Sequence, residues 1–125
     1  AHHPTEINAV VDSVHEMYPS KKILGVFQPH LFSRTKDFVN DFAMALSRFN
    51  ELILLDIYPA RELPIEGVTS EWLLSKISAV KKQISTKENL VENILKSEAQ
   101  IIVMIGAGDI GELVDNVKNI LSVEN

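Results

Sequence analysis

A chain of 125 residues with 46% hydrophobic side chains can build one core and is too short for two ordinary domains, so residues 1–125 are read as a single domain. Its 12 basic and 17 acidic residues are interspersed and sum to −5, which argues against a nucleic-acid surface. The absence of cysteine excludes a disulfide framework, a thiolate metal site and a cysteine nucleophile. No apolar run nears the roughly 20 residues of a membrane span, and the first residues lack the basic and apolar regions of a signal peptide, so no membrane partner and a cytoplasmic setting are expected.

Pro4 and Glu6 suit the start of a first helix, with Ile7, Val10, Val11, Val14, Met17 and Tyr18 along one face until Tyr18-Pro19-Ser20 stops it. Ile23, Leu24, Val26 and Phe27, with Gly25 among them, predict a strand covered on both faces. Pro29 then ends the ladder, because proline has no N–H to donate and biases Gln28 away from helical angles, and the chain turns at Gln28-Pro29-His30. Ser33 is the predicted N-cap of a helix in which Phe38, Val39, Phe42, Ala43, Leu46 and Phe49 recur at spacings of three and four. Arg34 thereby sits on the first helical turn, where a cation is mildly disfavoured unless it meets an anion, and becomes a candidate ligand-binding residue.

Residues 52–57 predict a second buried strand, ending at Asp56 and followed by a long loop with Pro59 and Pro64 in which polar chemistry has room. Thr69 or Ser70 caps a short helix through Ile77, and residues 80–84 form a further strand. Ser85 and Glu88 match a capping box ahead of the apolar Leu90, Val91, Ile94 and Leu95. Residues 101–105 are the last buried strand, and Gly106-Ala107-Gly108-Asp109 leads into a final helix whose Ile110, Leu113, Val114, Val117, Ile120 and Leu121 face inward.

Strands alternating with helices predict an α/β fold, a Rossmann-like three-layer sandwich with a mostly parallel sheet and helices on both faces. Ligands in such sheets bind beyond the carboxyl ends of the strands, so residues 28–34, 56–62 and 106–109 should share one edge. The chain opens directly on a helix, so relatives with a strand before that helix would be cut short here.

Gly106 to Gly111 satisfies GxGxxG between a strand and a helix, as a dinucleotide site requires. Only 14 residues follow Gly111, and with no strand expected there the acidic ribose ligand has nowhere to sit. A tight turn with close packing is the plainer reading, and exposed N–H groups at a helix start that help bind an anion lie between the two. His2, His3, His15 and His30 show neither an i,i+4 pair nor an HExxH frame, so no metal site is expected. His15 reads as a surface or packing residue, Ser33 lacks His-Asp partners, and Asp56 lacks the further acids and lysine of a phospho-acceptor.

Four segments in register, His2-His3-Pro4-Thr5-Glu6-Ile7, Phe27-Gln28-Pro29-His30-Leu31-Phe32-Ser33-Arg34-Thr35, Asp56-Ile57-Tyr58-Pro59-Ala60-Arg61-Glu62 and Gly106-Ala107-Gly108, resemble the C-terminal domain of the Mur ligases, in particular the branch that joins L-alanine to UDP-N-acetylmuramate. The resemblance covers nearly the whole chain; the branch that recycles a murein tripeptide is the near alternative. It implies a three-domain cytoplasmic bacterial enzyme of peptidoglycan synthesis that uses ATP and magnesium, with this chain as its last domain. The ATP phosphates and metal ions would bind mainly outside this chain, which would close over them and help hold the amino acid and the nucleotide. Residue by residue, the resemblance implies a substrate role for His2 and Arg34, with His3, His30, Tyr58, Arg61, Gly106 and Gly108 at the site's edge and no catalytic residue in this chain. A frequent arginine of that branch is Leu31 here, so a two-arginine clamp on the carboxylate is not expected. The other classes weighed are a dinucleotide-binding oxidoreductase domain and a non-catalytic α/β interaction module, and a phosphate-binding loop encoded upstream would separate the ligase from both.

Overall fold

The computed structural model describes residues 3–79, 81–106 and 120–123. In chain order its elements are α1 (Pro4–Met17), β1 (Ile23–Phe27), α2 (Phe32–Asp37), α3 (Val39–Leu46), β2 (Glu51–Leu54), α4 (Ser70–Ser75), β3 (Lys81–Ile84), α5 (Leu90–Leu95), β4 (Ile101–Ile105) and β5 (Ile120–Val123). The strands form one sheet in the order β3-β2-β1-β4-β5, with every ladder parallel. This is the α/β sandwich that the alternation of elements predicts.

Strand alternation divides the core in two. Ile23, Phe27, Leu52, Leu54, Val103 and Ile105 pack with Ile7, Val11 and Val14 of α1, Phe42 and Leu46 of α3, and Leu73 of α4. Leu24, Val26, Ile53, Leu55, Ile102 and Met104 point the other way and meet Leu90 and Ile94 of α5. The chain therefore steps from β1 to β2 to β3 with helices on one face, then returns by α5 on the opposite face to place β4 on β1's other side. The strand order reverses between β1 and β4, both buried along their whole length.

Several local expectations are corrected. The helix predicted from Ser33 to Phe49 is two helices broken at Phe38, whose N–H closes α2 on Arg34 O at 3.1 Å and whose ring lies 4.9 Å from that of His3. Ser33 is not the N-cap. Leu31 holds that position without a side-chain cap, and its carbonyl accepts from both Thr35 N–H and Thr35 Oγ1. The Ser85/Glu88 capping box does not form either. Ser85 is buried and its hydroxyl donates to Thr86 O and accepts from Asn93 Nδ2, while Thr86 Oγ1 takes the Asn89 N–H. Ile120 and Leu121, expected on a final helix, belong to β5; Ile110, Leu113, Val114 and Val117 lie outside the described residues. Met17, placed on the inner face of the first helix, is 58% exposed.

Two backbone positions carry measurable consequences. A Cβ on Gly25 would come within 2.6 Å of Phe49 Cδ2, so the glycine lets a buried ring lie flat on the middle of the sheet. Gly25→Ala should destabilise the chain by about 1 to 3 kcal/mol, the usual cost of overpacking, and Phe49→Leu in the same chain should recover part of it in urea melts. Leu31 has φ 73° and ψ 136°, a conformation that disfavours any side chain. Glycine there should therefore be more stable than alanine by about 1 kcal/mol, the reverse of their order at ordinary positions. Melts of Leu31→Gly and Leu31→Ala decide it, and alanine at least as stable as glycine would show that no strain is held there.

Candidate functional site

The site begins where β1 and β2 outrun the regular sheet. Past Phe27, Gln28 N–H still donates to Ile105 O at 3.0 Å and Leu55 N–H to Phe27 O at 3.0 Å. Pro29 has no N–H, yet its carbonyl accepts from Tyr58 N–H at 2.8 Å, and the Tyr58 carbonyl accepts from Leu31 N–H at 2.8 Å. The loops after β1 and β2 thus stay paired beyond the sheet, with His30 opposite Tyr58 and their rings stacked 5.6 Å apart at 19°.

From Leu31 the chain turns into α2, and the orphan donors of its first turn are met from far away in sequence. Ser33 N–H donates to Glu62 Oε1 at 3.1 Å, and Ser33 Oγ donates to Glu62 Oε2. These bonds, the hydroxyl's first, hold the Glu62 carboxyl below the usual carboxylate range. Arg34 follows, partly buried, and forms no ion pair or side-chain hydrogen bond among the described residues. Burial first, and then the Arg34 charge, hold His30 below the ordinary imidazole range, while the Glu62 charge pulls it the other way. Near neutral pH His30 is consequently an uncharged ring, and Arg34 carries the positive charge beside it.

Of the residues singled out in the sequence, Arg34, His30 and Tyr58 come together on this edge. His3 is instead the N-cap of α1, its Nδ1 accepting from Thr5 N–H at 3.2 Å. Arg61 is exposed and joins none of these hydrogen bonds. Gly106 is buried at the reversal of strand order, where a Cβ would come within 3.3 Å of Gln28 Cβ. Gln28 is itself only 5% exposed and donates through Nε2 to Asp56 O at 3.3 Å, so at this point backbone and amide are packed together. His2 and Gly108 lie outside the described residues. His15 is exposed, as its reading as a surface residue allowed. The residue that the sequence reading missed is Glu62. Its only signal was an acid in a proline-bounded loop expected on the same edge as the start of α2.

Contrary to the expectation that no strand follows the glycine run, β5 follows it. The rest of the run and the segment after it, residues 107–119, lie outside the described residues. Among the described residues no group of three or more His, Cys, Asp or Glu side chains could hold a metal ion, and no helix is long and apolar enough to cross a membrane.

Comparison with known proteins places this geometry. The family model described as Mur ligase, glutamate ligase domain matches residues 1–108. The chain is 64% identical to a UDP-N-acetylmuramate–L-alanine ligase of Flavobacterium psychrophilum over 94% of its own length and 26% of the relative's. It is equally 64% identical to one of Christiangramia forsetii over 97% of its length and 27% of the relative's. The chain thus spans about a quarter of the curated relatives it matches. Among solved structures, a domain assigned to a UDP-N-acetylmuramate:L-alanyl-gamma-D-glutamyl-meso-diaminopimelate ligase of Haemophilus ducreyi superposes with TM-score 0.62 at 19% identity, over 90% of this chain and 79% of that one, and so shares the fold. With a family match over most of its length, this chain belongs to the Mur ligase, glutamate ligase domain family.

Proposed function

We propose that this chain is the C-terminal, amino-acid-binding domain of an ATP-dependent cytoplasmic ligase that joins L-alanine to UDP-N-acetylmuramate in peptidoglycan synthesis. The observation that carries the reading is 64% identity, over 94% or more of the chain, to ligases named for those two substrates. The remaining three quarters of such a protein would supply the other two domains and bind ATP and magnesium. The present sequence has no phosphate-binding loop of the GxxxxGK[ST] type, and its described residues do not make a magnesium-carboxylate cluster.

When bound, ATP turns the carboxylate of UDP-N-acetylmuramate into an acyl phosphate. What this chain contributes is the amino acid's position. Arg34 can meet the alanine carboxylate through two parallel hydrogen bonds, which fixes direction as well as distance. A carboxylate gripped at that end leaves the amine free to face the acyl group. Neutral His30, stacked on Tyr58, brings no second charge to compete for the carboxylate and offers a flat wall beside it. His2 is assigned to the same substrate, and Arg61, His3, Gly106 and Gly108 to the edge of the site, on the resemblance alone.

Two outcomes follow. In the full-length enzyme, Arg34→Ala should lose about 2 to 4 kcal/mol of transition-state binding, or roughly thirty- to a thousandfold in kcat/KM for alanine. Arg34→Lys should also be impaired, because a point charge does not replace the fork. Steady-state kinetics with alanine varied, run beside thermal melts, test this; alanine kinetics within about threefold of the parent would make Arg34 structural. The chain by itself should show no ligase turnover and no tight ATP binding, which calorimetry and an ADP-release assay measure. Preference of the full-length enzyme for a murein tripeptide over alanine would shift the reading to the recycling branch.

A further inference from the structure

Glu62 lies 29 residues beyond Ser33 yet supplies both acceptors for its N–H and hydroxyl. The loop that carries it is otherwise lightly held. Glu62 N–H closes a turn on Pro59 O at 2.9 Å, with Ala60 at φ 52°, and the following Leu63 is 85% exposed, so burial does not pin this stretch. A hydrogen-bonded carboxylate therefore does what apolar packing does elsewhere. The choice of partner matters equally. Glu62 is satisfied by neutral donors, and among the described residues it forms no ion pair with Arg34, Arg61 or Lys36. Had it paired with Arg34, the guanidinium would already be neutralised.

We propose that Glu62 is a positioning residue for the incoming amino acid. It occupies the Ser33 donors, fixes the first turn of α2 against the loop after β2, and leaves Arg34 as the cation that the substrate carboxylate meets. This rests on the alanine-ligase reading above. Both Glu62 oxygens are engaged by Ser33, so on this proposal its effect runs through Arg34. Two consequences distinguish it from a residue that merely supports the fold: its loss weakens alanine use but not ATP use, and its loss costs nothing further once Arg34 is gone.

The test is a mutant cycle in the full-length enzyme. Glu62→Ala should lower kcat/KM for alanine roughly ten- to hundredfold, mostly through KM, the scale expected when a reactant is misplaced by an ångström or so. The KM for ATP and the melting temperature should stay near the parent's. Ser33→Ala, which removes the hydroxyl but keeps the N–H, should lose roughly three- to tenfold for alanine alone, and Glu62→Gln should recover part of the Glu62→Ala loss. In an Arg34→Ala background, Glu62→Ala should cost under about twofold more, since residues acting through one contact are not additive. The inference is overturned if alanine and ATP constants worsen together with a lowered melting temperature, or if the cycle is additive. It is equally overturned if Ser33→Ala has parental alanine kinetics, which settles the matter even where Glu62→Ala fails to fold. A parent that does not join alanine would overturn the enzyme reading and this inference with it, whereas an active parent with an unaffected Glu62→Ala overturns the inference alone.

Discussion

The candidate site depends on an asymmetry of proline. Pro29 cannot donate to a ladder but can accept, and its carbonyl takes the Tyr58 N–H at 2.8 Å. The chain therefore leaves the regular sheet at Gln28 without leaving β2's partner loop. Everything downstream follows from that one bond and its neighbour, Leu31 N–H to Tyr58 O. They set His30 against Tyr58 and hold Leu31 at positive φ. They also aim α2 so that Ser33 meets Glu62 and Arg34 stands beside them. A non-glycine residue tolerates φ 73° only where its surroundings over-determine it, and here both its N–H and its carbonyl are committed.

The electrostatics of the edge are governed by hydrogen bonding more than by ion pairing. An exposed carboxylate–guanidinium pair contributes at most about 1 kcal/mol, because water screens it and two long side chains must be ordered. A carboxylate held by a backbone N–H and a hydroxyl loses less freedom, and those bonds hold the Glu62 carboxyl below the usual carboxylate range. α2 is six residues long, so its dipole adds little to either charge. The arrangement keeps one negative group satisfied by neutral donors and one positive group uncommitted, which is the state a site for a carboxylate ligand requires.

The legibility of this molecule divides by range. β1, β2 and β4 were readable because apolar runs of β-branched residues have one economical use, and α1 because its apolar spacing and Pro4 agree. Arg34, His30 and Tyr58 were placed on one edge by the rule for parallel sheets alone. What failed were choices between equivalent local partners. Ser33 has a good capping side chain, but the cap requires its backbone to lie outside the helix, and the loop pairing at Leu31 starts the helix earlier, with Leu31 as N-cap. Ser85 is buried beside Asn93, so Thr86 rather than Ser85 takes the Asn89 N–H in the turn before α5, and Asn89 is the N-cap without a side-chain cap bond. Ile120 and Leu121 suit a helix or a strand equally by pattern; the open side of β4 decided for the strand. Glu62 was illegible as a partner of Ser33 because nothing local specifies which loop's acid reaches a helix start.

The site's exposure bears on why such a domain works within a larger protein. Tyr58 is 44% exposed, Arg61 is exposed, and Arg34 is only partly buried, so the edge is open to water. Two unit charges 4 Å apart attract by about 1 kcal/mol in bulk water and about 4 kcal/mol at the effective dielectric of a protein surface. Arg34, partly buried at the protein surface, lies nearer the second figure than the first. Under the proposed function, covering the edge would lower the local dielectric further and exclude water from the reacting group. The chain spans about a quarter of the curated relatives it matches, and the cover is proposed to come from the rest of such a protein. The β1 and β2 loops are held by backbone bonds, by the Ser33–Glu62 contact and by the burial of Gln28, Pro29 and Ile57, so they present Arg34 in a fixed direction. The direction of Arg34 is thus set by this chain's own loops, while under the proposed function the strength of its contact would come with closure of the edge.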